Sequence, residues 1–356
     1  MIYVHVPFCR SFCTYCDFYS EIASEGCFKT YADGVCAEIK RRAGEMDDNP
    51  KTLYFGGGTP SVLPLSVLTR ILLALEEAGH GGRWQEFTME VNPDDIVEKG
   101  LAYATSLKAL GVNRMSIGVQ SFDDAMLRWM NRRHDAVRAE QAFRIVREAG
   151  FDNVSIDLIF GLSHLSDAVW ADTVDRAIAL GPEHISCYQL TVEGESALAE
   201  MAARGEYTEA SDTQCRRQYD ILCQKMAVAG YRHYEISNFA RPGFEAVHNG
   251  GYWERRPYVG IGPGRIPSTV PPAVGTASSS KAGPPRPKPF PTKTLSWKPS
   301  CSPSGPTRAS TRPSCTIIAA GKTSDSSSGT ERSSGWTTGI ASPKTISSFP
   351  TKSSAN

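Results

Sequence analysis

Long apolar runs are missing from this 356-residue chain. No stretch approaches the roughly 18 consecutive apolar residues of a membrane-spanning helix. The opening MIYVHVPF lacks the basic flank, extended apolar core and small-residue cleavage site of an export signal, so the cytoplasm is the expected compartment. Net charge is missing as well: 38 Lys and Arg balance 38 Asp and Glu. No global field therefore draws the chain to nucleic acid or to an anionic membrane. The balance conceals an asymmetry. From Arg265 onward 12 basic residues face 2 acidic ones, so the part before it carries an acidic excess of ten. Cysteine is not scarce. Ten of them without an export signal point to reduced thiols and metal chemistry rather than to a disulfide scaffold.

Up to residue 190 the sequence repeats one rhythm. A short apolar run rich in Val, Ile, Tyr and Phe gives way to turn residues and then to a helical pattern. The runs are IYVHV (2–6), TLYFG (52–56), FTMEV (87–91), RMSIGV (114–119), NVSIDLIF (153–160) and HISCYQL (184–190). Between them lie LSVLTRILLALEEAG, AVRAEQAFRIVREAG and AVWADTVDRAIALG, each closing on the Gly that commonly ends a helix. Alternating strand and helix implies a parallel sheet with helical crossovers, either doubly wound or an incomplete barrel. The polar residues favour the barrel. The cysteine cluster, Gly56-Gly57-Gly58-Thr59-Pro60, Glu90, Gln120, Asp157 and Tyr188-Gln189 all fall in or just after a run, and barrels carry their chemistry at the C-terminal strand ends. The expected fold is α/β, an incomplete (βα)6 TIM-like barrel over 1–190 with a C-terminal extension over 191–264. In that extension 211–229 reads as a helix capped by Ser211, and YRHYEISNFARPG as strand and turn.

At Arg265 the composition breaks. The last 92 residues hold 21 Ser and 14 of the 23 Pro, with little hydrophobic periodicity. Two readings stand: a disordered basic tail, or a reading frame that slips near Gly264 so that 265–356 is not the intended sequence.

Cys9, Cys13 and Cys16 are spaced C-x3-C-x2-C directly after the first strand. Three thiolates hold three irons of a [4Fe-4S] cube and leave the fourth open as a Lewis-acidic docking point, whereas electron-transfer clusters use four cysteines. The alternatives are zinc or three incidental core thiols. Structural zinc takes four ligands in pairs, and no second pair follows.

These residues resemble the radical S-adenosylmethionine (SAM) superfamily. With GGGTPS, EVNP, SIGVQSF, RRH, DLIFGL, HISCYQL and YEISNFA, residues 2–264 are similar to its coproporphyrinogen III oxidase-like branch. The resemblance implies that the open iron chelates SAM, with an electron donor serving the cluster. It places Gly57, Gly58 and Thr59 at the methionine end of SAM and Glu90, Gln120, Arg132, Asp157, Tyr3 and Tyr15 around the rest. A Gly-rich turn, ordinary salt-bridge residues and core aromatics are the alternatives for these positions.

Two features point within that branch to the heme-chaperone group, HemW. The oxidases carry a further cysteine two residues after the third, where this chain has Phe18. His248-Asn249-Gly250-Gly251-Tyr252-Trp253 also matches the group's HNxxYW. An exposed His248 would be the candidate ligand of heme iron; alternatively His248 and Asn249 hydrogen-bond a turn while Tyr252 and Trp253 fill a junction. The implied role is passing heme to apo-hemoproteins, a respiratory enzyme at the membrane fitting the group, with no nucleic-acid partner. Oxygen-independent coproporphyrinogen III oxidase and an inactive product of a frame-slipped gene are the rivals. One departure is plain. Gly161-Leu162-Ser163-His164-Leu165-Ser166 stands where the family reads GLPGQT.

Overall fold

In the computed structural model each of the six apolar runs is a parallel strand, and the sheet they build is extended at both edges by later parts of the chain. Residues 1–192 and 196–264 are described. The basic Ser/Pro-rich tail 265–356, and the frame slip read there, lie outside them.

Strand β1 (Ile2–Val6) leads into a short parallel pair, β2 (Phe8–Cys9) with β3 (Glu21–Ile22), and then α1 (Glu25–Arg42). The repeating units follow as β4 (Thr52–Gly57) and α2 (Leu65–Glu77), β5 (Glu86–Val91) and α3 (Pro93–Ala109), and β6 (Arg114–Gln120) with α4 (Asp124–Trp129) and α5 (Ala136–Glu148). Next come β7 (Val154–Phe160), α6 (Asp167–Leu180) and β8 (His184–Gln189). The remainder is α7 (Ala197–Ala203), α8 (Asp212–Val228), β9 (Arg232–His233), β10 (Asn238–Ala240), α9 (Val247–Trp253) and β11 (Val259–Ile261). The nine-stranded sheet runs β11-β1-β4-β5-β6-β7-β8-β10-β9. It is parallel from β11 to β8, while β10 and β9 pair antiparallel at the far edge. This is the expected α/β partial barrel; β2, β3 and β11 were not anticipated by the sequence reading, and the one strand expected in YRHYEISNFARPG is the pair β9 and β10.

The helix boundaries have local causes. Asp123, Asp135, Ser166, Ser196 and Ser211 each accept an N–H from the first turn of the helix they precede, satisfying one of the donors that a helix start leaves open. At the end of α6, Gly181 adopts φ 71° and returns its N–H to Ile178, a conformation that Gly adopts without steric cost.

Along the strands the side chains alternate between two environments. Ile2, Val4, Leu53, Phe55, Phe87, Met89, Met115, Ile117, Val154 and Ile156 are fully buried or nearly so and belong to the apolar core shared with the helices. The residues between them are polar and hydrogen-bond one another across the inner face. Tyr54 bonds Glu90, Ser116 bonds Asp157, and Ser155 bonds His184. The inner face is therefore a polar lumen. No helix among the described residues is long and apolar enough to cross a membrane.

Candidate functional site

The cysteine loop leaves the C-terminal end of β1 and is pinned by neighbouring elements. The N–H of Ala23 donates to Cys9 O at 2.8 Å, and those of Gly58 and Thr59 donate to Val6 O and Phe8 O at 2.8 Å. Thr14 donates its N–H to Met130 O (3.1 Å) and its hydroxyl to Trp129 O (2.9 Å), while its own carbonyl accepts from Leu198 N–H (2.8 Å). Asn131 Nδ2 donates to Phe12 O. Cys9, Cys13 and Cys16 are half-buried free thiols. Burial pushes the Cys9 thiol up and the Cys16 thiol up to about 12, and in both cases Cys13 adds to the rise. Two thiols whose ionisation a third hinders are a donor set relieved by a cationic group. Among the described residues no three His, Cys, Asp or Glu side chains are drawn closely enough to share a single ion. Thiolates on separate corners of a cluster need less convergence than that, so the donor set fits a cube better than zinc.

Arg132 sits on this loop. Its Nη1 donates to Cys13 Sγ at 3.3 Å and its Nη2 to Gly118 O at 2.6 Å, while its Nε–H is buried without a partner among the described residues. An unpartnered guanidinium N–H beside three thiols suits an anionic group. Tyr15 lies between Cys13 and Arg132, held neutral by burial and by Cys13. Gln120 joins them. It has φ 69° where the β6–β7 register breaks, and its amide nitrogen and Arg132 Nη2 both lie over Gly118, where a Cβ would meet them at 2.9 and 3.4 Å. A non-glycine residue in that region is strained, and such strain collects at functional sites.

Thr59 Oγ1 lies 3.5 Å from Cys9 Sγ. The preceding glycines are explained by packing: a Cβ on Gly57 (φ 111°) would strike the His5 ring at 2.5 Å, and one on Gly58 the Val6–Phe8 backbone at 2.9 Å. Their small size lets the end of β4 lie against the cysteine loop.

A second group lies deeper in the lumen. Glu90 accepts from Tyr54 OH (2.6 Å) and from Gly57 N–H (3.2 Å). Burial pushes its carboxyl up to about 7, with Asp157 adding and Tyr54 opposing. Burial raises Asp157 too, against hydroxyl donors that include Ser116 and Ser155. Tyr3 stacks on Tyr54 at 6.0 Å and meets His5 Nδ1 at 3.1 Å. His5 Nε2 faces Tyr19 O at 3.0 Å, and a carbonyl only accepts, so Nε2 carries the proton and Nδ1 accepts from Tyr3.

His248 lies beneath this group, its ring 5.2 Å from that of Tyr54, and it is not exposed. It lies at the opposite end of the strands, 1 % accessible. Its Nδ1 is 2.8 Å from Thr52 Oγ1, and its Nε2 is 2.8 Å from Tyr252 OH. Glu86, first residue of β5, accepts the backbone N–H groups of Val247 and His248, so α9 plugs the base of the lumen. Thr52 and Gly57 are five residues apart on one strand, a separation of about 16 Å. The ring is hydrogen-bonded, as in the alternative of the sequence reading, but to Thr52 and Tyr252 rather than within a turn, and Trp253 is 43 % exposed rather than packed into a junction.

Holding this imidazole neutral links stability to pH. Burial takes His248 from its ordinary 6.5 down to about 3, helped by the chain's N-terminus and Arg114. The folded state thus refuses a proton that the unfolded chain accepts. That contribution is complete above pH 6.5 and is lost as pH falls toward 3, at up to about 1.4 kcal/mol per pH unit. Urea midpoints measured across this range should fall less steeply in His248→Gln than in the parent chain. His248→Ala, leaving Thr52 and Tyr252 without their shared partner, should cost about 2–4 kcal/mol at neutral pH.

A network that the sequence reading missed braces the cysteine loop. Arg10, between Cys9 and Cys13, pairs with Asp95 (3.3 Å) and Glu98 at the start of α3. Arg133 reaches the same two carboxylates at 3.6 and 3.0 Å, and Arg138 reaches Asp94 at 2.8 Å. The signal was present as the acidic Asp94-Asp95 pair opening a helix and the doubled arginine of RRH.

Comparison with known proteins agrees with this geometry. The model of the radical SAM superfamily matches residues 3–177. The chain is 37 % identical over 274 residues to the heme chaperone HemW of Synechocystis, covering 74 % of this chain and 64 % of that protein. It is 34 % identical over 262 residues to HemW of Lactococcus lactis, covering 74 % and 68 %. The matched segment thus spans about two thirds of these relatives' length. Among solved structures, the radical SAM enzyme coproporphyrinogen III oxidase HemN of Escherichia coli is similar with a TM-score of 0.63 and 26 % identity, over 75 % of this chain and 64 % of that one.

Proposed function

This chain belongs to the HemW family within the radical SAM superfamily, and on that footing we propose that it binds heme and delivers it to apo-hemoproteins, holding a [4Fe-4S] cluster and SAM at the mouth of its partial barrel. The observation that carries the cofactor half is Arg132, seated on Cys13 with a buried N–H left over beside three free thiols. Kinship with proteins named heme chaperones carries the heme half.

When bound, the cluster and SAM supply one-electron reductive chemistry at the sulfonium, fed by an external electron donor. The chain's own residues set the conditions for it. Cys9, Cys13 and Cys16 would hold three irons of the cluster. Arg132 offsets the charge that the thiolates bring, and the Thr59 hydroxyl steadies Cys9. Glu90 and Asp157 offer carboxylate oxygens to an ammonium or to ribose hydroxyls, and a cation arriving at Glu90 would draw its carboxyl back toward the ionised form. Tyr3, Tyr15 and Gln120 line the approach and keep water out, and Gly57 and Gly58 bring backbone close to the cysteine loop. His248 would reach an iron only after Thr52 or Tyr252 released it, so heme ligation there is not part of the reading. We place the protein in the cytoplasm, where free thiols persist.

The rival, oxygen-independent coproporphyrinogen III oxidation, draws on the likeness to HemN. Phe18, 53 % exposed where that branch carries a cysteine, speaks for the chaperone. Hemin titrated into the anaerobically reconstituted full chain should give a saturable Soret shift at one heme per chain. Carbon dioxide release from coproporphyrinogen III under reducing conditions with SAM, without hemin binding, would overturn the proposal in favour of the oxidase.

A further inference from the structure

We propose that the base of the lumen is a binding site for a small monovalent anion, held by Arg114 together with Thr88, Asn153 and Asn249. Arg114 opens β6 and is 3 % accessible. Its Nε–H is buried without an acceptor, and its guanidinium makes no ion pair among the described residues. A buried cation without a counter-charge is strongly unfavourable in a fold. The groups that face it do not supply one. Burial raises the carboxyls of Glu90 and Asp157, and Arg114 is only a lesser influence opposing that rise. His184 and His248 are held neutral by burial, with Arg114 adding to the effect. Their ring nitrogens are already taken. Water could answer the hydrogen bonds of Arg114, but not its charge.

Three further polar atoms around it are buried without partners: Thr88 Oγ1, Asn153 Oδ1 and Asn249 Nδ2. The first two flank Arg114 across the sheet. Thr88 is its register partner on β5, and Met115 N–H donates to Asn153 O at 3.1 Å, which sets Asn153 on the other side. Phe87, Met89, Met115 and Val154 fill the apolar core, so alternation turns Thr88, Arg114 and Asn153 to the inner face. Neighbouring strands lie about 4.8 Å apart, within reach of one small ligand. Asn249 arrives on α9 beside Tyr234, which also faces Arg114. A hydroxyl, a guanidinium and an amide NH2 are donors to an anion, and a half-turn of the Asn153 amide adds another. The plug of α9 lies below, held by Glu86, and the Tyr54–Glu90 pair lies above, so the occupant is an ion of a few atoms. Bound there, it ties α9 to three strands and gives Asn249 of HNGGYW a role.

The test is urea unfolding of the reconstituted full chain at pH 7 and fixed ionic strength, with sodium gluconate replaced stepwise by sodium chloride or sodium formate. Gluconate is too large to enter. The parent midpoint should rise by about 0.5 M urea for each tenfold increase in the small anion beyond half-saturation. A response to both salts marks a general monoanion site, and one to formate alone a carboxylate site. Arg114→Met should lose the response and be at least as stable as the parent in gluconate, because an apolar side chain replaces an uncompensated charge. Thr88→Val keeps the shape and removes one donor, so its rise should begin at about tenfold higher anion concentration. No response in the parent, or the same response in Arg114→Met, overturns the proposal. If Arg114→Met does not fold, Thr88→Val decides, and an unshifted response overturns it. The site is independent of the heme and SAM readings, and its failure would leave both standing.

Discussion

Cys13→Ser should abolish the cluster. After anaerobic reconstitution the parent chain is expected to hold roughly four irons and to absorb broadly in the visible, and the variant neither. Cys13 is the central thiol of the three. It is the one that Arg132 contacts, and it contributes to the raised proton affinity of both Cys9 and Cys16. Exchanging sulfur for oxygen removes a soft ligand with little change of shape, so the fold should persist with unaltered circular dichroism. Iron and visible absorption retained at the parent level would show that other residues hold the metal. Stoichiometric zinc without iron in the parent would reject the cluster altogether.

Asp95→Asn should lower stability by about 2–4 kcal/mol and make the cluster more labile in air. Asp95 is fully buried, accepts from Ser61 Oγ at 2.7 Å, and faces both Arg10 and Arg133. The variant keeps the volume but leaves two guanidinium groups without their innermost counter-charge. Those arginine side chains are 36 % and 28 % accessible, so water screens part of the loss and the cost stays below that of a wholly buried pair. Because Arg10 lies inside the cysteine loop, loosening it should accelerate the decay of visible absorption on exposure to oxygen. Arg10→Ala should be milder, since Arg133 continues to compensate Asp95. A denaturation midpoint for Asp95→Asn that matches the parent's would show that the network does not brace the loop.

Much of the scaffold could be read from residue order alone, because its causes are local. IYVHV and RMSIGV became strands at nearly the expected bounds, and Ser211 caps α8 as its position suggested. What escaped was set by distant partners. Val259-Gly260-Ile261 is too short to show a strand period, and becomes one because β1 offers a free parallel edge. His248 sits in a recognisable motif, yet no motif tells whether its ring faces solvent. Thr52, 196 residues earlier, decides that from the base of the lumen. The acidic start of α3 looked like ordinary helix capping until the fold brought Arg10, Arg133 and Arg138 onto it.

The central claim is that three thiolates and a vacant iron form a site that takes SAM. Electron paramagnetic resonance of the reduced, reconstituted protein, recorded with and without SAM, tests it most directly. The account predicts a [4Fe-4S]⁺ signal whose g-values move on SAM addition, because the ligand joins the open iron, and a much smaller shift in Arg132→Ala. A cluster signal that SAM leaves unchanged in the parent protein would contradict it.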